Sequence, residues 1–121
     1  MNDSKESHPE ALLPLSVPVF QILLSLAEED RHGYGIIGDI RRRSGDEVLL
    51  STSTLYGAIK RMMRDSLVER SDMRPDAELD DERRRYYRIT DFGREVASCE
   101  AQRIRRLADM VRDTQFVTRA S

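Results

Sequence analysis

At 121 residues, with 39% hydrophobic, 6% aromatic and 35% charged residues, the chain has room for one domain with an aliphatic core and broad solvated helix faces. Its formal net charge of −2 excludes a uniformly basic nucleic-acid binder and leaves the distribution of charge as the deciding quantity. The lone Cys99 excludes an intramolecular disulfide, no apolar run approaches the roughly 20 residues of a membrane span, and the first residues lack the apolar stretch of a secretory signal; the expected location is the cytoplasm.

Residues 1–11 read as a disordered polar tail. The first helix is marked by Ser16-Val17-Pro18, since Ser16 can cap it and Pro18 falls in the first turn, where a missing N–H costs little. Val19, Ile22, Leu23 and Leu26 recur at helical spacing, with Phe20 on the flank. Glu28-Glu29-Asp30 ends this pattern, and because acids at a helix C-terminus oppose the macrodipole, the end is expected to fray into a turn at Arg31-His32-Gly33. A second helix spans about Gly33 to Arg43, buries Ile36, Ile37 and Ile40, and stops at Ser44-Gly45. Gly33, Gly35 and Gly38 each cost roughly 1 kcal/mol relative to Ala in a helix; close helix packing and close approach to a DNA phosphate are both adequate reasons for them. Val48-Leu49-Leu50 reads as a small first strand.

Ser51 to Thr54 offers consecutive hydroxyl residues to cap a third helix. Leu55, Ile59 and Met62 form its core stripe, which Met63 widens. Ser53, Tyr56, Gly57, Lys60 and Arg64 lie opposite, with Arg61 at the border. Leu67 to Arg70 is a strand, Ser71 to Glu82 a charged loop, and Arg84 to Ile89 a returning strand whose alternation turns Tyr87 and Ile89 to the core and groups Arg85 with them. Thr90-Asp91 opens a last helix running to about Arg112, a length of about 33 Å. Along it Ala97, Ala101, Ile104, Ala108 and Val111 keep an alternating four-three spacing, the seam of a coiled coil, which Val96, Leu107 and Met110 broaden. So long a helix outruns so small a domain, and a second copy of the chain is the natural cover; Ala97, Ala101, Ile104, Leu107, Ala108 and Val111 are the expected dimer interface. Residues 115–121 carry no pattern and read as a second disordered tail.

The charge distribution then points to a partner. Between Arg31 and Arg64 there are seven positive residues (Arg31, Arg41, Arg42, Arg43, Lys60, Arg61, Arg64) against three negative ones (Asp39, Asp46, Glu47). A helix with a basic exposed side followed by an arginine-rich ribbon is the layout of a winged helix-turn-helix. Lys60, Arg61 and Arg64 are the leading DNA-contact candidates, since Arg suits guanine edges and Lys suits phosphate, with a plain solvated face as the alternative. Ser53 and Thr54 at the helix start and Tyr56, through its hydroxyl, join them. Arg83, Arg84 and Arg85 either flank a minor groove or pair with Asp80, Asp81 and Glu82. Tyr34, with Gly33 and Gly35, is placed either to hold a phosphate or to pack a turn. His32 reads as a surface turn residue, and no His/Cys cluster calls for a metal. Cys99 reads as a buried structural thiol, with a redox switch as the alternative. No nucleophile elbow, P-loop or paired acid and base is present, so neither an enzyme nor a cofactor is expected.

The stretches FQILLSLAEEDRHGYGIIGDI, STLYGAIKRMMRDSLVE and DERRRYYRITDFGREV closely resemble the PadR-like winged-helix transcriptional regulators, in order and in spacing, over about Val17 to Val111. The resemblance implies a mainly α fold with a small β-wing, residues 12–90 forming a winged helix-turn-helix and residues 91–114 a single C-terminal dimerisation helix. It implies a homodimer that binds double-stranded DNA at a pseudo-palindromic operator, usually as a repressor. The helix equivalent to Thr52–Asp65 enters the major groove, and the segment equivalent to Asp72–Arg85 is the wing. Some relatives respond to phenolic acids or hold planar hydrophobic drugs between protomers, which makes a small hydrophobic or phenolic effector an expectation. Where relatives carry glycine after the recognition helix, this chain has Ser66; a left-handed backbone there would cost roughly 1 kcal/mol. The rival reading is a winged-helix protein-interaction module that does not bind DNA.

Overall fold

The computed structural model describes residues 8–72 and 85–116. A 3-10 turn, Pro9–Leu12, begins inside the stretch expected to be a tail, and its last residue, Leu12, packs on the core with Leu13 and Leu15. Helix α1 (Val17–Glu28) starts as expected: Ser16 Oγ accepts the Val19 N–H at 3.3 Å, and Pro18 sits in the first turn. Ile22, Leu23 and Leu26 are buried, while Phe20 is half-buried.

The acidic end of α1 does not fray. Arg31 Nε donates to the Ser25 carbonyl at 3.1 Å, and Arg43 reaches Glu28 at 2.7 Å, so cations from the following elements offset the unfavourable dipole. Arg31–His32 forms a two-residue strand, β1, where a turn was expected. His32 is correspondingly no surface turn residue. Its Nδ1 accepts the Gly35 N–H at 3.0 Å and caps helix α2 (Gly33–Arg43), and its ring meets Tyr86 edge-on at 5.2 Å.

Gly45 and Asp46 then take left-handed backbone (φ 61° and 69°) and end α2. Val48–Leu50 is a connector and not the first strand. The sheet has Tyr86–Ile89 at its centre, flanked by Arg31–His32 and Val68–Arg70, so both edges of the central strand are already taken; Val48 and Leu50 pack on the core and Leu49 faces solvent.

Helix α3 (Thr52–Arg64) is capped by Ser51, whose Oγ accepts the Thr54 N–H at 3.1 Å. Leu55, Ala58, Ile59 and Met62 are buried, but Met63 is exposed and does not widen the stripe. Ser66 has a φ of 65°, the left-handed turn expected of it, and its carbonyl accepts the Thr90 hydroxyl at 2.6 Å. Strand β2 (Val68–Arg70) pairs antiparallel with β3 (Tyr86–Ile89), with Val68 opposite Ile89 and Arg70 opposite Tyr87. β3 also pairs with β1, Tyr87 opposite Arg31.

Helix α4 (Asp91–Arg112) is capped by Thr90, whose Oγ1 accepts the Gly93 N–H at 2.9 Å. Gly93 lies so close to the Leu67 carbonyl that a Cβ would overlap it, which fixes α4 onto the start of the wing. Phe92 and Val96 sit in the core, so Val96 is not part of an outward seam. Glu100 is also buried; it accepts the Leu15 N–H at 3.1 Å and binds Arg103 through two bonds of 2.6 and 2.9 Å. The described residues thus form four α-helices and a three-stranded antiparallel sheet around one aliphatic core, a winged helix-turn-helix with a long last helix. No helix among the described residues is long and apolar enough to cross a membrane.

Candidate nucleic-acid interface

Helix α3 is amphipathic for a simple reason. Its apolar residues recur every three or four positions, so burying them leaves the opposite side to solvent. That side presents Ser53, Lys60 and Arg64, all exposed, with Gly57 between them. Thr54 is exposed at the helix start and its hydroxyl accepts from Ser51 Oγ at 3.0 Å. Arg61 is exposed as well. A Cβ on Gly57 would have the Arg61 Nη1 at 3.7 Å, and the residue also lines a small cleft with Leu12, Pro14 and Asp65.

Tyr56 departs from expectation. Its hydroxyl is buried, turned inward onto Gly33 rather than toward the exposed side. The packing reading of Gly33 therefore holds, while a Cβ at Gly38 would meet open space. Tyr34, at the first turn of α2, is 51% exposed and free to meet an outside group.

The ion pairs sort the basic residues. Asp39, almost fully buried, holds Arg42 Nη2 at 2.8 Å, Arg43 Nε at 2.7 Å and Arg31 Nη2 at 3.5 Å. Burial alone would raise the Asp39 pKa; the Arg43 hydrogen bond and the charges of Arg31 and Arg43 outweigh it and hold the carboxyl below its ordinary value. Arg41 pairs with Asp46 at 2.9 Å, and Arg88 with Glu69 at 2.7 Å. Among the described residues no ion pair involves Lys60, Arg61 or Arg64. The arginines of α2 are thus held in ion pairs, whereas α3 keeps three exposed cations without one among the described residues.

Arg83 and Arg84 lie outside the described residues. Arg85 is half-buried and lines a groove of about 550 Å³ between α3 and the sheet, with Lys60, Met63, Arg70 and Tyr87. Sequence reasoning had assigned no role to Arg70; its place one step beyond Val68 on the same strand face was the available signal.

Along α4 the expected seam divides in two. Ala97 packs on its own core and Ala101 is half-buried. Ile104, Leu107, Ala108 and Val111 are exposed, and so is Met110. Cys99 is half-buried. Glu100 was missed, because its Leu15 partner lies 85 positions away.

Comparison with known proteins agrees with this geometry. The profile of the Transcriptional regulator PadR-like family matches residues 22–98. An uncharacterized protein of Lysinibacillus sphaericus is 32% identical over 79 residues, which is 64% of this chain and 68% of that protein. Among solved structures, a PadR family transcription regulator from hypervirulent Clostridium difficile superimposes with a TM-score of 0.68 at 27% identity, covering 84% of this chain and 99% of that one. A transcriptional regulator from Clostridium thermocellum gives 0.65 at 21% identity, over 93% and 96% of the two chains. Bacillus subtilis PadR, solved in complex with operator DNA, gives 0.58 at 20% identity over 70% of this chain and 46% of that one. At such identities the last two likenesses concern the fold.

Proposed function

The chain belongs to the PadR-like family of transcriptional regulators, and we propose that it is a repressor that binds a pseudo-palindromic double-stranded DNA operator as a homodimer. The observation that carries this reading is the exposed side of α3, where Lys60, Arg61 and Arg64 have no ion-pair partner among the described residues, whereas Arg31, Arg41, Arg42, Arg43 and Arg88 are each paired.

In this reading residues 12–90 form the DNA-binding unit and residues 91–114 the dimerisation helix. Ser53, Thr54, Lys60 and Arg64 enter the major groove, Arg61 borders it, and Tyr34 meets a phosphate beside the start of α2. Arg83, Arg84 and Arg85 follow the duplex from the wing. Tyr56 contributes by holding α3 against α2, not by donating to phosphate. The exposed apolar residues Ile104, Leu107 and Val111 of α4 are the surface a second protomer would cover, since leaving such a run in water is costly at about 25 cal/mol per Å² of apolar area. A dimer would set two recognition helices about 34–36 Å apart, one turn of the duplex. A small dimer seated on a promoter acts most directly by excluding other proteins, which is why repression is proposed, and such a role places the protein in the cytoplasm.

Selection of bound duplexes from a random DNA pool tests the reading. Enrichment of an inverted repeat with half-sites about one helical turn apart is the expected result. Failure to retain any duplex at low salt would overturn it and favour the protein-interaction alternative.

A further inference from the structure

A small cleft lies between the N-terminal segment and the C-terminal end of α3. Leu12 and Leu15 line one side, Val19 of α1 another, and the buried Met62 and Leu67 the inner end. Three local features give these walls their shape. The Leu15 N–H donates to Glu100 at 3.1 Å, and Ser16 caps α1. At the end of α3 the left-handed Ser66 turns the chain, and the Leu67 N–H donates to the Met62 carbonyl at 2.8 Å, which brings Leu67 back beside Met62. The cleft measures about 150 Å³. An apolar space of about that size suits a single six-membered ring. Asp65 and the exposed Arg61, of opposite charge, line its outer part.

We propose that this cleft binds a small, neutral, mainly apolar molecule built on a single ring. The proposal goes beyond the DNA-binding reading and does not require it. Largely preformed apolar walls with a few polar groups at one end are the usual make-up of a small-molecule site, and covering such walls takes apolar surface out of water. The ligand is neutral because a charged one would gain from Arg61 or Asp65 and lose to the other. It is a small molecule because the cleft has room for one ring and not for a stretch of peptide. Met62 and Arg61 belong to α3, so an occupant packs directly against the helix that carries Ser53, Lys60 and Arg64.

The test is NMR of the full chain carrying ¹³C-methyl methionine, titrated with toluene and, separately, with benzoate and benzylammonium. The methionines separate the surfaces, since Met62 lines the cleft while Met63 and Met110 are exposed elsewhere. Toluene should shift the Met62 methyl saturably and leave Met63 and Met110 in place; the two charged probes should leave Met62 unmoved at the same concentrations. Val19→Phe puts a ring into the cleft and should abolish the Met62 response in a protein that still melts cooperatively. Leu12→Phe, which fills the cleft from the opposite wall, serves the same purpose if Val19→Phe does not fold. A Met62 methyl that toluene does not move, one that the charged probes move equally, or a response that persists in the folded variant overturns the proposal. So does a toluene shift confined to Met110, which would place the ring on the exposed side of α4.

Discussion

The Tyr56 hydroxyl of α3 is buried against Gly33, the first residue of α2. This contact joins the two helices of the helix-turn-helix, and it leaves no space for a side chain at position 33. Gly33→Ala should therefore destabilise the fold by about 1–3 kcal/mol, the usual cost of overpacking. Gly38 is the control, since a Cβ there meets nothing; Gly38→Ala should instead stabilise by up to about 1 kcal/mol. Chemical denaturation of both variants measures the difference, and equal effects would show that the contact does not constrain α2.

Ser66 holds a left-handed backbone with a φ of 65°. That conformation costs a non-glycine residue about 1–2 kcal/mol, while glycine loses about 0.5–1 kcal/mol of chain entropy on folding. Ser66→Gly should accordingly raise stability by roughly 0.5–1 kcal/mol. A lower melting temperature in this variant would contradict the strain argument.

Glu100 ties the N-terminal segment to α4 through the Leu15 N–H and Arg103. The Arg103 hydrogen bond holds its carboxyl below the ordinary value against the opposing effect of burial. A depressed folded pKa means that the stabilisation is fully present above the unfolded value, about 4.3, and is lost as pH falls through the lower folded value. Glu100→Gln should cost about 1.5–3 kcal/mol at neutral pH. Its deficit against wild type should shrink as the pH drops below about 4. Melting curves across that range check both points, and a deficit that stays constant with pH would mean packing, not charge, is what Glu100 supplies.

On α4, Ile104 is 39% and Leu107 46% exposed in the single chain. Ile104→Asp would place a carboxylate in the proposed dimer contact without touching the core of the protomer. Sedimentation should show a shift to monomer with little loss of helicity, and operator binding should weaken steeply because one half-site makes few contacts. A variant that sediments as the wild-type dimer does would remove Ile104 from the interface.

Most of the helical framework was legible in the sequence. Ser16, Ser51 and Thr90 cap the helices they precede, and the last helix runs from Asp91 to Arg112 as its periodicity indicated. These features are local, and local chemistry decides them. What was illegible is long-range. The strand at Arg31–His32 exists only because Tyr86–Tyr87 offers an edge to it, and two residues carry no periodicity of their own. The Arg42 and Arg43 side chains look like a basic surface in sequence, but Asp39, three and four positions earlier, binds them in the fold. Tyr56 falls on the border of α3, where only the neighbouring Gly33 decides which way its hydroxyl turns. The candidate DNA-contact side at Ser53, Lys60 and Arg64 was readable because it is the plain complement of the buried Leu55, Ile59 and Met62.

Lys60→Ala and Arg64→Ala, assayed for thermal stability and for affinity to selected operator and scrambled duplexes, give the most direct measurement. Both residues are exposed and unpaired among the described residues, so stability should stay within about 0.5 kcal/mol of wild type. A residue that reads a base should lose roughly 1–3 kcal/mol at the operator and little on scrambled DNA. One that only holds phosphate should weaken both duplexes alike. Folded variants with full affinity for both would contradict the assignment of α3 to the DNA interface.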